Sequence, residues 1–418
     1  MSRVAIVGLG TAGLLLAVQA RRRGVEVIGF DARAPDATGA RWVNGVPGWA
    51  FDAAGVARPA GPEKCGEGLD FHLVAGWGPE RTVVSDHDLM EVDMRHLQTR
   101  LRDEALARGA DLRYGDKVQS AEDLDATWVV DAAGLAGPNL LARPPVPRED
   151  LCVAAWQEHR VVDPQAARAF FDRYDVPLGH TLCFSAIEGG FSIVNLRLHG
   201  DRLAVLTGSV PGLGFRSGLK LLQDWVEAHD WVGERVFGGS RALPMQAPPV
   251  ELVRGRIATL GDTARQVHGA HGSGIGQQLL ASKLLAECLL DDDLGRYEHQ
   301  WLSRYGGLLS GMDLFARFTK TLTVEDVAAL VRARAMPERI TMRVLTQRLP
   351  LIGPSELVQT VRGLASVPSL ARRFLPMIGR LVALEAHHRR FPLEGDRAAW
   401  DRRRQGLLQA GRRAVASQ

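Results

Sequence analysis

Cysteine is scarce in this chain. Only Cys65, Cys152, Cys183 and Cys288 occur in 418 residues, and no two form a C-x-x-C pair. Neither a disulfide framework nor a zinc site is signalled, and a reducing cytoplasm fits. Long apolar runs are missing too: none reaches the ~18–20 residues that a membrane-crossing helix needs. The apolar opening Val4–Leu16 is not expected to act as a secretory signal. Only Arg3 precedes it, glycines interrupt it, and no clean small-residue cleavage site follows. No internal repeat is visible.

What is present is an ordinary enzyme composition, 46% apolar and 24% charged, in a chain long enough for two or three domains. The net charge of +3 is unevenly placed: residues 331–418 hold 17 basic and 6 acidic residues, a net of +11, and the remainder carries −8. Such a tail suits an anionic surface, or is a solvated helical face rich in arginine. Peripheral membrane contact through 354–418 is therefore one expectation, and packing of its apolar stripe (Leu364, Leu370, Phe374, Ile378, Leu381 and Leu384) on the catalytic body is the other. No nucleic-acid partner and no metal are expected.

Arg3-Val-Ala-Ile-Val7 reads as a buried parallel strand, Leu14–Arg23 as a helix closed by Gly24, and Val25–Phe30 as a second strand. Residues 35–87 are irregular. A helix is expected over Arg95–Arg108 and a short strand at Trp128–Val130. Residues 151–250 alternate like antiparallel strands, with helical patches at 164–174 and 217–229. Ile257–Leu260 returns to a buried strand, Gln277–Leu290 to a helix, and everything after about Glu298 reads as helix broken by prolines.

Between the first strand and helix lies Gly8-Leu-Gly10-Thr11-Ala12-Gly13, a G-x-G-x-x-G fingerprint. Gly8 serves the tight turn, Gly10 lets backbone approach a pyrophosphate, and Gly13 lets helix and strand pack closely. The amides at Thr11 and Ala12 then face the phosphates at the positive end of the helix dipole. Asp31, 18 residues beyond Gly13 and followed by Ala32 and Arg33, stands where an acid accepts from a ribose diol. Strand, glycine turn, helix, strand and acid in register indicate dinucleotide binding.

Two later motifs specify the cofactor. Val129-Val-Asp131-Ala-Ala-Gly134 ends a strand in Asp-x-x-Gly, and Gly261-Asp262 is followed by Gly272 and Gly274, opening a helix at Ile275. With these motifs the chain resembles the FAD-dependent monooxygenases of the p-hydroxybenzoate and ubiquinone-biosynthesis hydroxylase type, and their geranylgeranyl-reductase-like relatives. The resemblance covers most of the chain. It implies a Rossmann-type FAD-binding domain (1–150 and 251–297), an inserted mixed or antiparallel sheet forming a substrate domain (151–250, with parts of 40–90), and a helical C-terminal region (298–418). It implies FAD held by the three motifs and by Arg95, with NAD(P)H as electron donor. The helix from Ile275 would face the edge of the flavin where charge develops on reduction.

The chain departs from the family at several points. Thr263-Ala264 and Gly269 replace an Ala-Ala pair and a proline. Leu135-Ala-Gly-Pro138 replaces Ser-x-x-Arg, and Phe191-Ser-Ile-Val-Asn195 lacks the reductases' Tyr-x-Trp-x-Phe-Pro segment. A halogenase Trp-x-Trp-x-Ile-Pro segment and its lysine are not evident. The reaction is accordingly open among three readings. The favoured one is a monooxygenase that hydroxylates or epoxidises a small hydrophobic aromatic or isoprenoid substrate through a flavin C4a-hydroperoxide. The second is a reductase of prenyl double bonds, and the third a non-catalytic flavin-fold protein. Candidate catalytic residues are His268 and His271, either relaying a proton or simply bonding loop backbone, and Asn44 in the loop expected beside the ring.

Overall fold

The computed structural model describes residues 3–350, 353–393 and 395–409. Its first sheet grows from the opening strand, Arg3–Val7, whose Val4, Ala5 and Ile6 are fully buried. A strand covered on both faces selects apolar residues without alternation. Glu26–Asp31 and then Asp111–Tyr114 lie on one side of it; Trp128–Asp131, Ile257–Thr259 and an antiparallel edge, Val253–Arg254, lie on the other. The chain thus builds outward one way from Arg3–Val7 and then returns to build the other way. The reversal leaves a crevice at the carboxyl ends of Arg3–Val7 and Trp128–Asp131, the place where open α/β sheets bind ligands.

A second sheet has seven strands, in the order Val232–Pro244, Leu151–Val161, Arg202–Ser209, Ser192–His199, Thr181–Ser185, Phe71–Ala75 and Arg81–Val84. Every pairing is antiparallel except Thr181–Ser185 with Phe71–Ala75. Helices Pro164–Asp172 and Gly218–Glu227 cover one face, packing Phe170, Phe171, Leu222 and Trp225 onto Val194, Leu196 and Val205. The opposite face is left for a cavity. A third sheet joins Val43–Pro47, Leu89–Asp93 and Lys64–Glu67.

Two stretches differ from the expectation. The irregular 35–87 region contributes strands to the seven-stranded and three-stranded sheets, each only four or five residues long and separated by Gly and Pro, too short to show a period. Val232–Pro244 is a 13-residue strand that Gly233, Gly238 and Gly239 interrupt, and its register against Leu151–Val161 shifts near His159.

The C-terminal region forms helices, with Pro354 and Pro368 opening Pro354–Ala365 and Pro368–His388. Leu364, Leu370, Phe374 and Leu384 are buried in one core with Leu314 and Leu330, with Ile378 and Leu381 packed against it, so this stripe packs on neighbouring helices. Residues 410–418 of the basic tail lie outside the described residues. No described helix is long and apolar enough to cross a membrane.

Candidate active site

At the crevice Gly8 has φ +99°, and a Cβ there would stand 2.4 Å from Ala133 Cα. A Cβ on Gly13 would meet Gly8 O at 1.9 Å. Both glycines are required by the protein's own backbone. Gly10 is different: its nearest neighbour in the protein would be Gly39 Cα at 3.4 Å, an ordinary contact. The protein's own backbone leaves room for a Cβ there.

Helix Thr11–Arg22 begins at Gly10 without a side-chain cap, so its first-turn amides are unclaimed by any cap. Helix Ile275–Leu290 likewise begins at Gly274 without one. Gly8, Gly10, Thr11 and Ala12 line the same cleft as Gly272, Gly274 and Ile275. Two positive helix ends on one cleft make an anion site.

The three acids of the sequence motifs have different fates. Asp31 lines the cleft, and its carboxylate accepts from Leu9 N and Arg33 N, both at 2.9 Å, which fixes the glycine turn. Asp131 is fully buried and does not face the cleft. It accepts from Leu140 N at 2.9 Å and Ala133 N at 3.2 Å, and burial raises its pKa. Its carboxylate shapes the loop that carries Gly134, and the cleft is lined there by Ala132, Ala133 and Gly134. Asp262 does line the cleft: Arg241 Nη2 lies 3.2 Å from its Oδ2, and Gln278 Nε2 donates to Oδ1 at 3.3 Å. Gly261 packs against Ala12, and Ala32 and Arg33 line an adjoining groove with Gly8.

Arg95 is not aimed into this cleft. Its guanidinium forks onto Asp93 (Nη2–Oδ2 2.6 Å) and lies 3.5 Å from the centre of the Phe237 ring. It lines a neighbouring groove with Arg41, Gln98 and Arg102. The nearby Asp93, which also caps helix Met94–Ala107, claims the charge first. Reading the sequence missed Arg241, because no motif marks a strand residue that reaches across from another sheet. Gln278 was legible in principle, one helical turn beyond Gly274.

Strand Val43–Pro47 stands between the cleft and a cavity of about 320 Å³. Trp42 and Asn44 line the cleft, whereas Val43 and Gly45 line the cavity, following the two-residue period of a strand. The cavity wall is mainly apolar, with Phe71, Leu73, Trp156, Phe191, Ile193 and Leu206, and Val344 and Leu345 reach it from the C-terminal helix Glu338–Leu345. Its polar groups include Asn195, Glu91, Glu158 and Arg197. Arg197 is buried, pairs with Glu91, and donates to Gly179 O and Cys65 O, each at 2.9 Å.

His271 lines the cavity, whereas His268 is fully buried behind it. The ring nitrogens of His268 and Nδ1 of His271 have no partner among the described residues. The loop is instead held by backbone, His268 N donating to Ser273 O at 3.1 Å. Burial pushes His268 down to about 3 and His271 to about 4. Both imidazoles are neutral near pH 7, so a proton relay through either would start from the neutral ring.

Asp70, His72 and His180 bring three metal-capable atoms within 4.8 Å of one another, His72 Nε2 lying 3.4 Å from His180 Nδ1. His180 joins Asp70 and His72 from a distant part of the chain, so no ligand spacing revealed the group.

No family model matches the chain. It is similar to digeranylgeranylglycerophospholipid reductase 2 of Methanopyrus kandleri, 25% identical over 374 residues covering 79% of this chain and 89% of that protein. A geranylgeranyl bacteriochlorophyll reductase-like protein from Thermoplasma acidophilum superposes with a TM-score of 0.70 at 14% identity, covering 92% of this chain and 99% of that one. A single-residue variant of Klebsiella pneumoniae HpxO, complexed with FAD, gives 0.58 at 16% identity over 79% and 94% of the two chains. The chain has a flavoprotein fold. Its α/β organisation, with a Rossmann-type sheet, a second largely antiparallel sheet and C-terminal helices, is the one the sequence motifs implied.

Proposed function

We propose that this protein is an FAD-dependent oxidoreductase that reduces carbon–carbon double bonds of an apolar, isoprenoid-like molecule. The observation that carries the reading is the shared wall: one strand, Val43–Pro47, lines a dinucleotide cleft through Asn44 and an apolar cavity through Val43 and Gly45. A redox ring extending from the cleft would meet a substrate in the cavity there. The residues fit FAD. Two uncapped helix ends suit its pyrophosphate, the spare room at Gly10 admits it, and Asp262 and Arg241 offer an acceptor and a donor to the polar chain of the cofactor. Bound flavin would supply the hydride chemistry, and the protein orients the substrate and excludes water. The reductase names of two proteins similar over most of their lengths support double-bond reduction.

Oxygenation of the same class of substrate is the second reading. The Phe191–Asn195 segment favours it, since it lacks the reductases' aromatic motif and presents Asn195, whose Oδ1 is buried without a partner among the described residues, at the cavity. NAD(P)H as electron donor belongs to both readings. Product formed from a prenylated substrate, with chemically reduced enzyme under strict anaerobiosis, is expected for the reductase. Product that appears only when oxygen is admitted would transfer the assignment to the monooxygenase.

Peripheral membrane contact remains part of the proposal. Leu357, Val361 and Val382 are half or more exposed on helices that also carry Arg362, Arg372 and Arg380.

A further inference from the structure

Strand Phe71–Ala75 pairs in parallel with Thr181–Ser185, Phe71 opposite Thr181 and His72 opposite Leu182. Successive side chains of a strand point to opposite faces. Phe71 and Leu73, with Thr181 and Cys183, line the apolar cavity. His72 takes the alternate position with Leu182, on the face away from the cavity, and the same alternation sets Asp70 and His180 there, just ahead of the two strands. Thr181 N donates to Asp70 O at 3.1 Å, which brings His180 beside Asp70. The turn that carries His180 is held by backbone on several sides. Gly179 N donates to Leu198 O and Gly179 O accepts from Arg197 Nε, both at 2.9 Å, and His180 N donates to Pro177 O at 3.2 Å.

His72 is only 5% exposed, and its Nδ1 has no hydrogen-bond partner among the described residues. Its Nε2 faces Nδ1 of His180, 108 residues away, at 3.4 Å. That separation is long for a hydrogen bond. It suits two imidazoles on one ion: with Zn–N bonds of ~2.0–2.1 Å in tetrahedral geometry, the two nitrogens stand about 3.3–3.4 Å apart. Asp70 Oδ2 lies 3.8 Å from the same His180 nitrogen, slightly more, and rotation of this partly exposed carboxylate closes the difference. Arg81, whose charge reaches His72, is itself paired with Asp175 at 3.1 Å. Buried polar groups are nearly always satisfied, and here a cation supplies the partner that the protein does not.

We propose that Asp70, His72 and His180 bind a divalent transition-metal ion of the zinc class, behind the cavity wall. Two imidazoles and one carboxylate suit zinc and its first-row neighbours, whereas magnesium and calcium take oxygen ligands. Asp70 and His180 side chains are 35% and 23% exposed, so the ion enters from solvent and water completes its coordination. The ion fastens the start of one strand to the start of the other at the parallel pairing of the seven-stranded sheet. Its role is structural: it stabilises the folded chain, because the unfolded chain does not bring the three ligands together.

The test uses full-length protein stripped with a chelator and titrated with Zn²⁺ alone in a calorimeter, alongside melting curves. The wild type should bind one equivalent with a Kd of about 1 µM or below, and its melting temperature should rise with Zn²⁺. His180→Ala and Asp70→Asn, each with an unchanged circular dichroism spectrum, should bind Zn²⁺ roughly a hundredfold more weakly and lose the thermal shift, since removing even a group behind a ligand costs about 10–100-fold. Asp70→Glu, which keeps the carboxylate, should retain part of the affinity. A wild type that takes up no Zn²⁺ overturns the proposal. So does binding that survives unchanged in both folded variants, and so does binding lost instead on Cys65→Ser, which would assign the ion to the exposed thiol.

Discussion

Arg241, on the long edge strand of the seven-stranded sheet, places its Nη2 3.2 Å from Oδ2 of Asp262, which follows the last core strand of the Rossmann-type sheet. The pair joins the two sheets at the cleft and sets a donor beside an acceptor. Removing either partner should weaken FAD binding: for Asp262→Ala, by roughly 1.5–3 kcal/mol, the range for a hydrogen bond to a charged group. Arg241→Ala should act in the same direction. A flavin titration of either folded variant that matches the wild type would remove that residue from the site.

The glycines of the fingerprint should separate into two classes. Gly13→Ala must displace the Gly8 carbonyl, so it should lower the thermal melting point of the apoprotein. Gly10→Val meets no such backbone clash at its Cβ and should leave the apoprotein folded while abolishing flavin retention. Melting curves and flavin content measured on the same preparations check both halves.

Acid stability should report the buried histidines. His268 is held at about 3 and His271 at about 4, below the ordinary value of 6.5, so between these limits the unfolded chain binds more protons than the folded one. Stability is full above about pH 6.5 and falls as the pH drops toward 4. His268→Gln should flatten the melting temperature against pH over this window, and an unchanged slope would show that His268 does not contribute.

Filling the cavity should separate substrate from cofactor. Ala204 lines the cavity but not the cleft, so Ala204→Trp should abolish binding of apolar ligands and leave FAD affinity unaltered. Loss of both would mean that the two spaces are not independent.

Co-sedimentation with vesicles addresses the helices of 354–409. Binding to anionic and not neutral vesicles at low salt is expected if Leu357, Val361 and Val382 meet a bilayer among the arginines, since each basic residue near such a surface contributes on the order of 1 kcal/mol. Equal, weak sedimentation with both vesicle types would remove the membrane proposal.

How much of this was legible in the sequence depended on how local each signal is. The opening βαβ unit was readable because Gly8, Gly10 and Gly13 work within one turn and the flanking strands are uninterrupted apolar runs. The Gly261–Ile275 segment was readable for the same reason. Asp131 ends the expected strand and turns its carboxylate to the backbone of the following loop, because a motif fixes position along the chain and not which neighbours satisfy a carboxylate. Arg95 lines a neighbouring groove, as Asp93 two residues earlier pairs with it. Arg241 and the approach of His180 to Asp70 and His72 were invisible: each meets its partners from a distant part of the chain, and no periodicity encodes such a meeting.

The alternation along Val43–Pro47 has a consequence for how this protein can diversify. Neighbouring codons answer to different molecules, Val43 and Gly45 to whatever fills the cavity, Trp42 and Asn44 to whatever fills the cleft. Point changes at 43 and 45 can retune which substrate is accepted while the redox partner stays fixed. A single-residue insertion before Val43 would exchange the two sets at once. A library aimed at new substrates should therefore vary alternate positions and hold the length of this strand constant.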